Sequence, residues 1–142
     1  MINAKPRRYE RRSRLGDVQK INYLTRNRSS TQQSDMRTLH LFAYFAGGIF
    51  VANAVPHLTA GITGAPFQSP FASPPGVGLS SATMNVAWAY ANLLLAWFLL
   101  CRIGQFSLRH VAHATAFFAG ALMISITCAK LFGPLHGGNL VR

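Results

Sequence analysis

Between Thr38 and Cys101 the chain carries no Asp, Glu, Lys or Arg, and its apolar residues there and beyond gather into three blocks separated by polar or turn-forming stretches. The first runs from about Leu39 to Leu58 (LHLFAYFAGGIFVANAVPHL), the second from about Met84 to Leu100 (MNVAWAYANLLLAWFLL), and the third from about Val111 to Phe132 (VAHATAFFAGALMISITCAKLF). Each is near the roughly 20 residues that a helix needs to cross about 30 Å of hydrocarbon. The pattern therefore predicts three transmembrane helices, over about 39–58, 83–101 and 111–132. Small residues recur at i, i+4 on each of them: Ala43 with Gly47, Gly48 with Ala52, Ala87 with Ala91, and Ala116 with Gly120. That spacing lets helix backbones approach closely. Gly133, Pro134, Gly137 and Gly138 are expected to end the third helix, with too few residues beyond them for a fourth.

Residues 59–83 hold Gly61, Gly64, Pro66, Pro70, Pro74, Pro75, Gly76 and Gly78, a density that forbids a long helix. Within them PFQSPFASP repeats with a period of four, so Phe67 and Phe71 occupy equivalent places, each two residues before a Ser-Pro step. Residues before proline are pushed toward extended conformations. The stretch, including Gln68, Pro70, Pro74 and Pro75, is also uncharged and carries the apolar Ile62, Phe67, Phe71, Val77 and Leu79. It is expected to turn back and lie on the helices as an outer lid.

Residues 1–35 are the opposite in character: basic, polar and without apolar residues at helical spacing. Such a segment buries too little surface to offset the entropy of ordering, and a disordered tail is expected. Met36 opens MRTLHLFAYF, a short basic start running straight into an apolar helix, so an origin of the chain at Met36 is a second expectation. The fold class is thus an all-α membrane protein. It comprises a basic disordered tail over 1–35 and a domain over 36–142, in which three transmembrane helices carry a Pro/Gly-rich outer loop packed on the bundle.

Composition agrees with lipid as the solvent of that domain. Of the 142 residues 12% are charged and 50% hydrophobic, against about a quarter charged in a typical soluble domain. The net charge of +11 is segregated, because ten of the fourteen Lys and Arg residues and all three acids (Glu10, Asp17, Asp35) fall within the first 37 positions. The cluster Arg7, Arg8, Arg11, Arg12 and Arg14 could meet anionic lipid or nucleic acid, but a basic segment ahead of a first span ordinarily just holds that end in the cytoplasm. No specific nucleic-acid partner is read from it. Arg37, Arg102 and Arg109 place the N-terminus and the link 101–110 on the cytoplasmic side, which leaves Lys130 and Arg142 outside. Cys101 and Cys128 lack metal-ligand spacing and read as buried, inert thiols.

The apolar blocks contain few side chains able to do chemistry. Asn53 and His57 are four apart, hence on one face of the first helix, with Pro56 between them predicting a kink. Asn85 and Asn92, seven apart, share a face of the second. In antiparallel neighbours His57 and Asn85 should lie at similar depth near the outer surface, with Asn53 and Asn92 deeper. These four form the candidate polar cluster. One reading has them hydrogen-bond each other and the loop to hold the bundle; another makes them a pocket for a ligand or permeating species, since intramembrane polar groups often mark pathways. Histidines from different helices, His57 and His136 on the outer side or His40, His110 and His113 on the inner, raise a third: haem or copper. No carboxylate lies nearby to orient a ring, so no metal ligand or cofactor is assigned, and His57 and His136 remain weak candidates. After Asp35 there is no acid at all, which excludes paired-carboxylate and Ser-His-Asp chemistry, and the loop glycines lead into no phosphate-binding helix start.

The residues Asn53-Ala54-Val55-Pro56-His57, Gly61, Gly64, Phe67, Pro70-Phe71, Pro74-Pro75-Gly76, Gly78 and Ser80-Ser81 spell NAxPHxxxGxxGxxFxxPF…PPGxGxSS. In this the chain resembles a group of small, uncharacterised bacterial integral membrane proteins, over roughly Met36 to Trp97. The resemblance implies a bacterial inner-membrane protein with a short N-terminus and brings no activity with it. The expected function is non-enzymatic: an accessory or assembly subunit in the lipid bilayer, with a membrane-protein partner or self-association. The alternatives are a ligand-binding or permeation module, and a membrane redox subunit with histidine-ligated haem or copper.

Overall fold

The structure, a computed structural model, describes the backbone from Arg7 to Gly138, with side chains from Gln19 onward. It contains three helices and one small hairpin: α1 (Arg7–Ile62), β1 (Phe67–Gln68), β2 (Leu79–Ser80), α2 (Ala82–Cys101) and α3 (Val111–His136). All three helices include a stretch long and apolar enough to cross a membrane. The chain divides into two units, one ending at Thr38 and one beginning at Leu39.

In the first unit the structure departs from expectation. Where a disordered tail was predicted, helix is described from Arg7. The argument for disorder counted buried surface, and residues 19–38 indeed bury none of their side chains. A helix already nucleated by an apolar segment needs none, because each added residue contributes a backbone hydrogen bond without a new nucleation step. No proline interrupts the stretch between Pro6 and Pro56. Its hydroxyls fold back onto the helix, with Ser29 donating to Arg26 O at 2.8 Å, Thr31 to Asn27 O at 3.0 Å and Thr38 to Ser34 O at 3.0 Å. The side chains of Arg7, Arg8, Arg11, Arg12 and Arg14, and Arg142, lie outside the described residues.

In the second unit the helices pack through their small residues. A Cβ placed on Gly48 would overlap the carbonyl of Phe117, coming within 2.9 Å of its carbon, and one on Gly120 would do the same to Phe45 at 2.8 Å. The two glycines thus let α1 and α3 meet backbone to backbone. On the other side of α1, Gly47 faces Leu100 and Gly61 faces Val86, both of α2, where a Cβ would come within 2.7 Å and 2.6 Å. Ala43, Ala54, Ala89 and Ala96 complete this core, and among the described residues Tyr44 is the one large apolar-bodied side chain fully buried. Most bulky apolar residues, among them Phe42, Leu94, Trp97, Phe118 and Leu122, face outward. That inversion of the soluble pattern suits a bilayer, where large apolar side chains meet lipid and small ones meet neighbouring helices.

α2 begins at an N-cap, with Ser81 extended and its hydroxyl accepting from the Met84 N–H at 3.3 Å. α3 runs past its expected stop, through Gly133 and Pro134 to His136, and ends where Gly137 turns left-handed at φ 73°. Proline there loses a hydrogen bond only in the last turn, and the left-handed glycine closes the helix. Likewise α1 continues through Pro56 to Ile62. Neither cysteine is buried: Cys101 is exposed at the end of α2 and Cys128 half-buried.

Candidate functional site

The segment between α1 and α2 is built from turns about a two-stranded antiparallel pair, with Phe67 opposite Ser80 and Gln68 opposite Leu79. Ser69 ties it together. Its hydroxyl lies 2.5 Å from that of Ser80 and accepts from the Phe71 N–H at 3.1 Å, while its carbonyl accepts from the Gly76 N–H at 2.9 Å. Gly76 is left-handed at φ 75°, and the Ser73–Pro74 bond is cis. Gln68 and Ser69 are buried although the prolines around them are exposed.

The four residues of the candidate cluster are brought together as two cross-helix pairs. Asn53 of α1 donates its amide to Asn92 Oδ1 of α2 at 3.1 Å, and Asn92 donates in turn to the Trp88 carbonyl at 2.8 Å. Nearer the loop, His57 Nδ1 lies 2.8 Å from Asn85 Oδ1. Asn85 Nδ2 meanwhile faces three carbonyls, of Phe67 at 3.3 Å, Ser80 at 3.1 Å and Ser81 at 3.0 Å. This fixes the amide, because only NH2 can face three oxygens. It fixes the imidazole too: Oδ1 is an acceptor, so His57 carries its proton on Nδ1. Asn85 is fully buried, Asn92 1% exposed and His57 4% exposed, so these bonds are made out of reach of solvent.

The loop's two phenylalanines prove inequivalent. Phe67 sits edge-on to His57 at 5.4 Å and to Phe132 at 5.3 Å, and stacks on His136 at 5.8 Å. Phe71 is exposed and sits perpendicular to Trp88, ring centres 5.1 Å apart. His136 also lies 3.1 Å from Gln68 Oε1, which accepts from Nε2. His57 and His136, the weak metal candidates, therefore contact the same Phe67 ring, and each has one ring nitrogen hydrogen-bonded to an amide. Among the described residues no group of three His, Cys, Asp or Glu side chains is placed to hold a metal ion.

At the other end of the helices His40, His110 and His113, expected together on the inner side, are joined by Tyr44 and Arg102, which the sequence did not mark for a site. The link between α2 and α3 folds over α1, and an open cleft of about 830 Å³ forms there, lined by His40, Tyr44, Arg102, Gly104, His110 and His113 among others. Tyr44 is its floor, packed against His113 at 4.6 Å and edge-on to Phe106 at 5.2 Å. His113 Nδ1 accepts from the Ser107 N–H at 3.3 Å, so its free proton sits on Nε2. Two signals were present, His40-x-x-x-Tyr44 on one helix face and His110-x-x-His113 on another. What joins them is the fold of the nine-residue link, which has no periodicity to read.

Comparison of the chain with protein-family models, with curated proteins and with solved structures returns no match.

Proposed function

We propose that the protein is a non-enzymatic accessory or assembly subunit of a bacterial inner membrane, with the N-terminus cytoplasmic and the loop over residues 63–81 serving as an outer lid. The observation that carries this reading is the state of Asn85. It is fully buried, and its acceptor and both its donor hydrogens are engaged within the chain. Every occluded side-chain polar atom among the described residues likewise has a partner. A group so engaged holds the lid to α1 and α2; it has no capacity left for a substrate. Association with a partner then falls to the outward faces. The small residues of α1 and α3 are already used against each other, whereas Ala87, Tyr90, Leu94 and Trp97 of α2 remain exposed.

Cross-linking in native membranes tests the assembly. Recovery of a discrete dimer or heteromer, lost when Ala87 is replaced by Leu, is the expected result. Recovery of monomer alone would count against the reading. Replacing His57 with Ala separates the structural role from the ligand-binding alternative: lower yield and melting temperature follow from the first, whereas the second requires altered ligand binding at unchanged yield.

A further inference from the structure

The cleft between the α2–α3 link and α1 differs from the lid cluster in one respect: its polar groups are not used up. Tyr44 is 1% exposed, yet among the described residues its hydroxyl has no hydrogen-bond partner. Every fully occluded side-chain oxygen or nitrogen does have one. The small accessible remnant of Tyr44 therefore includes its oxygen, which lies against Gly104 at the cleft wall; a Cβ on Gly104 would come within 3.0 Å of the ring carbon bearing it. Such an oxygen, buried in its body and open at its tip, is placed to donate into the cleft.

The surrounding groups share its sense. His113 is committed at Nδ1 as an acceptor, which leaves Nε2–H as a donor. Arg102 lines the same cleft, and the chain has no Asp or Glu after Asp35 to neutralise it. α3 starts beside the cleft at His110, whose side chain makes no capping bond, so the first-turn N–H groups are not taken by a cap. Donors thus converge from α1, from the link and from α3, and no acidic side chain of this unit opposes them. Geometry of this kind recognises an anion with several acceptor oxygens, and the width of an 830 Å³ cleft exceeds what a halide needs.

We propose that this cleft binds a phosphate group, held by the Tyr44 hydroxyl, His113 Nε2–H and the Arg102 guanidinium. The group can arrive on a lipid headgroup or as free phosphate, and the chemistry of recognition is the same.

The test uses the full chain purified in an uncharged detergent, with melting temperature followed as three probes are titrated: phosphatidate, diacylglycerol with the same acyl chains, and inorganic phosphate. Stabilisation by phosphatidate but not diacylglycerol supports the site and assigns it to lipid; stabilisation by inorganic phosphate alone supports the site and assigns it to the free anion. Tyr44→Phe keeps the ring and removes the donor, and should weaken the apparent affinity about tenfold, as for a hydrogen bond to a charged group. Arg102→Gln, at an exposed position where folding is not at risk, should weaken it by a similar factor. No stabilisation by either phosphate-bearing probe overturns the proposal, as does equal stabilisation by diacylglycerol, or an affinity that Arg102→Gln leaves unchanged.

Discussion

Replacing Asn85 with Leu asks whether the lid is held by this one amide. The side chain's oxygen accepts from His57, and its two N–H hydrogens are shared among three carbonyls, so three hydrogen bonds disappear. At about 1 kcal/mol each the direct loss is about 3 kcal/mol, and at the smaller average found for helix–helix side-chain bonds in membranes it is about 2 kcal/mol. The His57 N–H, 4% exposed, is then left unpaired, which adds about 1 kcal/mol or more. A total of about 3–4 kcal/mol follows. Asn53→Leu is the internal control, since it removes one bond from a half-buried residue and leaves Asn92 Oδ1, 1% exposed, unpaired, and should cost about 2 kcal/mol. Unfolding in micelles measures both. Thermolysin cleavage within residues 63–81, which contain no Lys or Arg, reports the lid directly, and a loss of 3 kcal/mol raises its open population roughly a hundredfold. If Asn85→Leu proves no more destabilising than Asn53→Leu, or the lid is cut no faster, the amide does not hold it.

Gly48→Ala and Gly120→Ala each force a methyl group into the opposing backbone, which cannot rotate aside as a side chain can; each should cost about 2–3 kcal/mol by thermal denaturation, against little change for Ala87→Leu in the absence of a partner. Phe67→Ala, which strips a ring from contact with His57, Phe132 and His136, should cost about 2–3 kcal/mol. The same change at the exposed Phe71 should cost under about 1 kcal/mol, and equal melting temperatures for the two variants would refute the distinction between the repeats.

The residues of the lid cluster were legible because helix periodicity is a strong constraint. Spacings of four on α1 and seven on α2 put each pair on one face, and antiparallel neighbours then match His57 with Asn85 and Asn53 with Asn92. What periodicity does not carry is the third participant. The carbonyls of Phe67 and Ser80 belong to a hairpin of two residues per strand, too short for alternation to register, and that of Ser81 to the N-cap of α2. The internal repeat misled for a related reason. Phe67 and Phe71 each follow a proline and precede a Ser-Pro step, but Phe67 lies in β1, whose partner strand leads into α2, while Phe71 lies within the turn that Ser69 closes. Small-residue spacing predicts close backbone approach, and on α1 and α3 the small residues face the chain's own helices. The pattern says that backbones approach; it does not say whose.

The two ends of the helices differ in electrostatic completeness, and this separates stability from binding. Around Asn85 each donor meets an acceptor supplied by the chain, so substitutions there should be read in unfolding and proteolysis. Tyr44 lies thirteen residues before His57, the α1 partner of Asn85, about 20 Å along the axis. There the unit that begins at Leu39 supplies donors and a cation but no Asp or Glu, so substitutions should be read in ligand titrations. The separation is itself a consequence of the sequence: an uncharged run from Thr38 to Cys101 can satisfy its polar groups with amides and backbone, but the arginine that ends it cannot be neutralised by any residue that follows. Asn85→Leu should therefore lower the melting temperature without weakening phosphate binding by the protein that remains folded, and Arg102→Gln should do the reverse.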